Sequence, residues 1–126
     1  MLKDVDIRVG SLGVIRFSKG LYAYVGSGKG PGGIIARVLR HKSKSKRLWW
    51  HIDYLTTNPY VRIVKVFTTN CSESLVAEVL SKHFSYIPKF GSSDDLKAPS
   101  HLFRIPNVDS LEVLKHYGCV IEELKV

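Results

Sequence analysis

Residues 22–55 read YAYVGSGKGPGGIIARVLRHKSKSKRLWWHIDYL, and the fold class turns on them. Leu21 to Gly26 is an apolar run carrying Tyr22 and Tyr24, short enough for a strand. Gly28, Gly30, Pro31, Gly32 and Gly33 then break the chain. From Ile34 to His41 the spacing changes to that of a helix, with Ile34, Ile35, Val38 and Leu39 on one side. Arg37 and His41 are four residues apart, so they stack on one stripe at the edge of that face, half-buried and pointed together. Strand, turn and helix in so short a span predict an α/β (α+β) domain.

Outward from this block, Asp6 to Val9 and Val14 to Phe17 read as strands around the Gly10–Gly13 turn, making a meander with the Leu21 strand. Leu48 to Leu55 fits a short helix or an extended segment equally well. Val61 to Phe67, VRIVKVF, has the strongest strand character in the chain and is expected to be central. Asn70 or Ser72 can cap a helix running to about Phe84, with Leu75, Val76, Val79, Leu80 and Phe84 as its apolar face. Pro88 to Pro99 is a loop, His101 to Ile105 a strand, and Ser110 to Tyr117 a short helix closed by Gly118, before a last short element. The expected whole is a small mixed sheet of short strands flanked by helices.

At 126 residues and 44% hydrophobic content, positions 1–126 suit one domain with an ordinary core. Cys71 and Cys119 stand far apart and in no CxxC pattern, which suggests neither a zinc site nor a disulfide framework, and a reducing, cytoplasmic compartment fits that. The opening MLKDVDIRVG has no apolar leader core, and no run approaches a membrane span. The net charge of +8 favours a polyanionic partner. Its distribution says more: Arg37, Arg40, Lys42, Lys44, Lys46 and Arg47 fall within eleven positions that hold no Asp or Glu. Such a run is either a solvated loop or a phosphate-binding surface, and the neighbouring glycine turn, His41 and His51 favour the second.

The glycine turn itself has three readings. Gly28-x-Gly30-x-x-Gly33 with Asp53 downstream imitates a dinucleotide-binding fingerprint, but the basic run stands where the crossover should be. The turn can be a plain strand-to-helix reversal, or its amides and Lys29 can meet a nucleic-acid phosphate. Other residues also have structural readings. Asn70 and Glu73 are spaced as a capping pair, Tyr22 and Tyr24 can be core or interface aromatics, and Asp53 suits a structural acceptor or an ion-pair partner for a nearby arginine. His101 is open either way.

Tyr24-Val25-Gly26-Ser27, followed by Arg37 and His41 on the next helix, resembles the second half of the GIY-YIG endonuclease signature. YAYVGSG, the GG-x(3)-R-x(3)-H helix, WHIDYL at Trp50–Leu55, FGSSD at Phe90–Asp94 and SHLF at Ser100–Phe103 resemble more closely an uncharacterised branch of that superfamily. The branch occurs as small stand-alone proteins and fused to endonuclease III-type repair enzymes. The resemblance implies a nuclease that hydrolyses DNA phosphodiesters with one divalent metal, Mg²⁺ or Mn²⁺, in the context of DNA repair. By match, Tyr24 is the second signature tyrosine, Arg37 the phosphate-binding arginine and His41 its partner, with His51 beside the same basic loop. Glu73 matches the metal ligand, with Glu78 as the fallback, and a carboxylate with water and phosphate oxygens suits magnesium better than zinc. Lys29, Arg40, Lys42, Lys44, Lys46 and Arg47 are the expected nucleic-acid contacts.

The chain departs from the pattern twice. The signature begins with a strand bearing a tyrosine for which this chain has no counterpart, because Tyr22 stands too close to Tyr24 to fill the place. The domain therefore reads as lacking the first signature strand, and a homodimer can cover the sheet edge so exposed. Between FGSSD and SHLF, where relatives carry two cysteines, this chain has Asp95, Leu96 and Lys97. The second function class is accordingly a catalytically degenerate module that binds nucleic acid or a protein partner.

Overall fold

Three antiparallel strand pairs and three α-helices form the α+β fold of residues 1–28, 32–92 and 97–125, the residues described by the computed structural model. They fall into two compact units: Met1–Gly20 with Ser27–Val64, and Leu21–Gly26 with Lys65–Lys125.

In the first unit, β1 (Val5–Arg8) pairs with β2 (Val14–Phe17) across a 3-10 turn at Gly10–Leu12, with Ile7 opposite Ile15. The alternation of the sequence sets the faces: Ile7, Val9 and Phe17 are buried while Asp6, Arg8 and Arg16 face solvent. Helix α1 spans Gly33–Lys42, and α2 spans His51–Thr56, which resolves the ambiguous Leu48–Leu55 segment as helical. The expected apolar face of α1 is buried only at Val38, and Ile34, Ile35 and Leu39 remain exposed.

In the second unit, β3 (Leu21–Tyr24) pairs antiparallel with β5 (Leu102–Ile105), and β4 (Phe67–Thr69) with β6 (Ile121–Glu123). Helix α3 (Glu73–His83) buries Val76, Val79 and Leu80 of its expected apolar face and Ala77 besides, while Leu75 of that face is exposed. The four buried residues form a core with Val25, Phe103, Leu114 and Cys119. A 3-10 segment, Val108–Tyr117, ends at Gly118 in the left-handed region.

Several expectations are corrected. The first three strands are not a meander, since β3 leaves the β1–β2 hairpin to pair with β5, and the ladders are two-stranded rather than joined in one sheet. Of Val61–Phe67 only Phe67 enters a ladder, and Val64 is 56% exposed. β-Branched residues favour an extended backbone but do not supply an edge to pair with, and this segment runs across the boundary between the two units. Ser72, not Asn70, caps α3, its Oγ accepting from the Leu75 amide at 3.1 Å, while Asn70 Oδ1 accepts from the Val120 amide. Cys71 and Cys119 form a disulfide, with Cα atoms 5.6 Å apart. A bond across 48 residues leaves no local spacing to read, and the reducing compartment inferred from free cysteines loses its basis.

Candidate functional site

The sequence-predicted residues divide between the units: Tyr24 and Glu73 in the second, Arg37, His41 and His51 in the first. Lys29, Gly30 and Pro31, and Asp94, Asp95 and Leu96 of the second glycine loop, lie outside the described residues.

In the second unit a cluster forms around the β3–β5 ladder, where Tyr24 faces Leu102 in register. The backbone of His101 is strapped on both sides, its amide donating to Phe90 O at 2.8 Å and its carbonyl accepting from the Val25 amide at 2.9 Å. That fixes its buried imidazole, whose Nδ1 lies 3.3 Å from Glu73 Oε1 at the first turn of α3. Glu73 is 36% exposed at its side chain, so the carboxylate is held from behind and open in front. Asn70, turned toward Val120, does not form the capping pair that would otherwise account for Glu73. The Tyr24 ring lies in a slot made by two glycines: a Cβ on Gly26 would stand 3.0 Å from its Cε2, and one on Gly91 would stand 3.5 Å from its Cε1 and 3.4 Å from His101 Cβ. Tyr24 also meets Phe90 edge-on at 6.4 Å. Gly91 has φ +66°, a conformation costly for other residues. Gly91→Ala is therefore expected to lower stability by about 1–2 kcal/mol through its backbone conformation alone, since a Cβ there would meet Tyr24 and His101 at ordinary contact distance, as measured by urea unfolding.

His101 is the residue that sequence reasoning left undecided. Its signal was a polar ring inside the apolar strand run HLFRI, which only a partner such as Glu73 makes affordable. Glu78 is five positions on from Glu73, well round the helix, so the His101 contact distinguishes Glu73 from the fallback.

In the first unit Asp53 is the organising group. It is fully buried, and Arg40 grips it with Nη1 at 2.7 Å and Nη2 at 2.9 Å. Its Oδ2 also accepts the amides of Trp49 and Trp50, each at 2.9 Å, which starts α2. Burial alone would raise its pKa. The Arg40 hydrogen bonds and charge, with the two tryptophan amides, outweigh that and hold it below the ordinary carboxylate value. The dinucleotide reading fails here, since Asp53 is committed to Arg40 and β3 runs antiparallel to its neighbour.

The basic run is partly a fastening for its own loop. Lys46 Nζ donates to the carbonyls of Arg40 and His41 at the C-terminal end of α1, and Lys44 Nζ to those of Asn58 and Val61. Lys42 and Arg47 are exposed, and Arg37 is half-buried, its guanidinium 4.5 Å over the Trp50 ring. Burial, with the Lys46 charge next in size, pulls the His41 pKa below its usual value, and burial does the same to His51, so both rings are neutral at pH 7. His41, Lys42, Lys44 and Arg62 line a cleft of about 290 Å³ with Thr56, Val61 and Ile63. Arg62 falls within the expected strand Val61–Phe67, and its place in a cationic cleft has no local sequence signal.

Among the described residues no group of three or more His, Cys, Asp or Glu side chains is placed to hold a metal, and no helix is long and apolar enough to cross a membrane. Fold and site together define a small α+β domain with a Tyr–His–Glu cluster in one unit and a basic, aromatic surface in the other. The chain belongs to the family described as Domain of unknown function DUF123, whose model matches residues 1–121. No curated protein and no solved structure matches the chain.

Proposed function

We propose that the chain is a metal-dependent nuclease that hydrolyses DNA phosphodiester bonds in the GIY-YIG manner, in the service of DNA repair. The observation that carries this reading is the Glu73 carboxylate, fixed by buried His101 and open to solvent, in the same unit as the slotted Tyr24. A single hard carboxylate oxygen is a poor zinc site, but it suits Mg²⁺ or Mn²⁺, which keep several waters and take substrate phosphate oxygens as ligands. The bound cation would neutralise charge on the phosphate. Tyr24 offers a hydroxyl on a ring seated between Gly26 and Gly91, suited to orienting a water or accepting its proton. Separately, on the first unit, Arg37 offers a guanidinium to a nucleic-acid phosphate oxygen, and the neutral rings of His41 and His51 can each accept a proton at pH 7. Lys42, Lys44, Lys46 and Arg47 add positive field to the first unit, whereas the charge of Arg40 is balanced by Asp53.

The test is cleavage of labelled single-stranded, duplex and branched DNA with Mg²⁺ or Mn²⁺. The wild type should cut, and Glu73→Gln should fold normally and cut about a hundredfold or more slowly. Equal rates for the two proteins would remove Glu73 from the site. A second reading, a module that binds without cutting, is favoured by the cationic cleft and exposed indoles, which need no catalytic group. Salt-sensitive binding with no cutting on any substrate would establish it in place of the nuclease.

A further inference from the structure

Trp49 and Trp50 are 66% and 37% exposed. Burying an indole is strongly favourable, so two adjacent ones left in water on a chain with an ordinary core mark a surface kept for contact. Nor are they loose. Asp53, itself buried, takes both of their backbone amides on one carboxylate oxygen and holds Arg40 with the other hydrogen bonds. The Arg40 guanidinium lies 4.4 Å from the Trp50 ring and 5.1 Å from the Trp49 ring, and Arg37 lies 4.5 Å from Trp50. The two rings meet edge to face at 81°, so their faces point in different directions. Trp50 is flanked by guanidinium groups, which leaves Trp49 as the more open ring. The result is a pre-set aromatic face beside cationic side chains, with Arg47 exposed two residues before Trp49.

From this arrangement we infer that Trp49, braced edge to face by Trp50, forms a stacking platform for unpaired bases, so that the preferred ligand is single-stranded nucleic acid rather than intact duplex. The inference deepens the nucleic-acid reading above and rests on it. An indole beside guanidinium groups matches a base beside its phosphate: the ring takes the π-face, and Arg37 and Arg47 take the charge. A duplex hides its base faces and would meet only the cations. An apolar protein surface would cover the indoles but leave the arginines desolvated without counter-charges.

The 126-residue chain, held in EDTA so that no cutting intervenes, is titrated with 12-nucleotide oligothymidylate, 12-nucleotide oligouridylate and a blunt DNA hairpin of equal charge whose strands are joined by a non-nucleotide linker, reading tryptophan emission and anisotropy of the labelled strand. The single strands should quench the emission and bind more tightly than the hairpin, and a difference between the two single strands identifies the sugar preferred. Trp49→Ala, at an exposed position, should weaken single-strand binding about tenfold and leave hairpin binding unchanged, with Trp49→Phe restoring most of the loss. Unchanged single-strand affinity in Trp49→Ala overturns the inference, as does an equal loss on the hairpin. So does a wild-type dimer in sedimentation whose tryptophan emission is already shielded, since a second copy would then be the occupant. Because the assay contains no metal, it is independent of cleavage. Binding that depends on Trp49 in a protein that never cuts sinks the nuclease and keeps the platform, and Glu73-dependent cutting with no Trp49 effect does the reverse.

Discussion

Replacing Asp53 with alanine is expected to destabilise the chain by about 3–5 kcal/mol, the range for breaking one side of a buried ion pair. Three losses coincide. Arg40 keeps its charge with its carboxylate partner gone, the amides of Trp49 and Trp50 lose their acceptor, and α2 loses the group that closes its first turn. Asp53→Asn keeps an acceptor oxygen but not the charge, so it should fall between alanine and the wild type. The pH dependence has a definite sign. The folded carboxylate has a depressed pKa, so its contribution is fully present above the unfolded value of about 4 and is lost as the pH falls through the folded one. Melting temperature followed downward from pH 7 should therefore drop below about pH 4, and Asp53→Asn should flatten that part of the curve. An alanine variant as stable as the wild type would show that the Arg40 pair contributes nothing.

Loss of the Cys71–Cys119 bond is the second large effect. Closing a loop of 48 residues restricts the unfolded chain by about 4 kcal/mol in the loop-entropy account. The bond sits where several fastenings meet: Cys71 precedes the Ser72 cap of α3, and Cys119 precedes Val120, whose amide is held by Asn70. Register Thr69 to Ile121 in β4–β6 brings the two strands together close by. Alkylation of the denatured, unreduced chain should add no label, and reduction should free two thiols. The double variant Cys71→Ala, Cys119→Ala should melt well below the oxidised protein and match the reduced one more closely. Full labelling without reductant would mean that the bond is not formed.

Residues whose pattern is local were readable in advance. The α3 face of Val76, Val79 and Leu80 follows from spacing alone, and β2 from the alternation of Val14–Phe17. Asp53 could be read as a partner for an arginine, because a carboxylate between aromatic residues beside a basic run has few other uses. What failed was non-local. VRIVKVF has strand character without a strand partner, and the partner of β3 turned out to be β5, some eighty residues on. The disulfide and the His101–Glu73 contact likewise join positions with no common motif. The lysines were misleading in a different way: charge is visible in sequence, but the backbone carbonyls that occupy Lys44 and Lys46 are not.

The path of the chain has a consequence for dissecting the molecule. The chain leaves the first unit after Gly20, contributes Leu21–Gly26 to the second, and returns to the first at Ser27. A cut after Val64 therefore does not release two self-sufficient halves. The piece 65–126 would carry β5 with one edge stripped of its partner, and 1–64 would carry β3 with nothing to pair with. Supplied together, the two pieces should complement one another, and a ribosome must emit Ile105 before the β3 ladder can close.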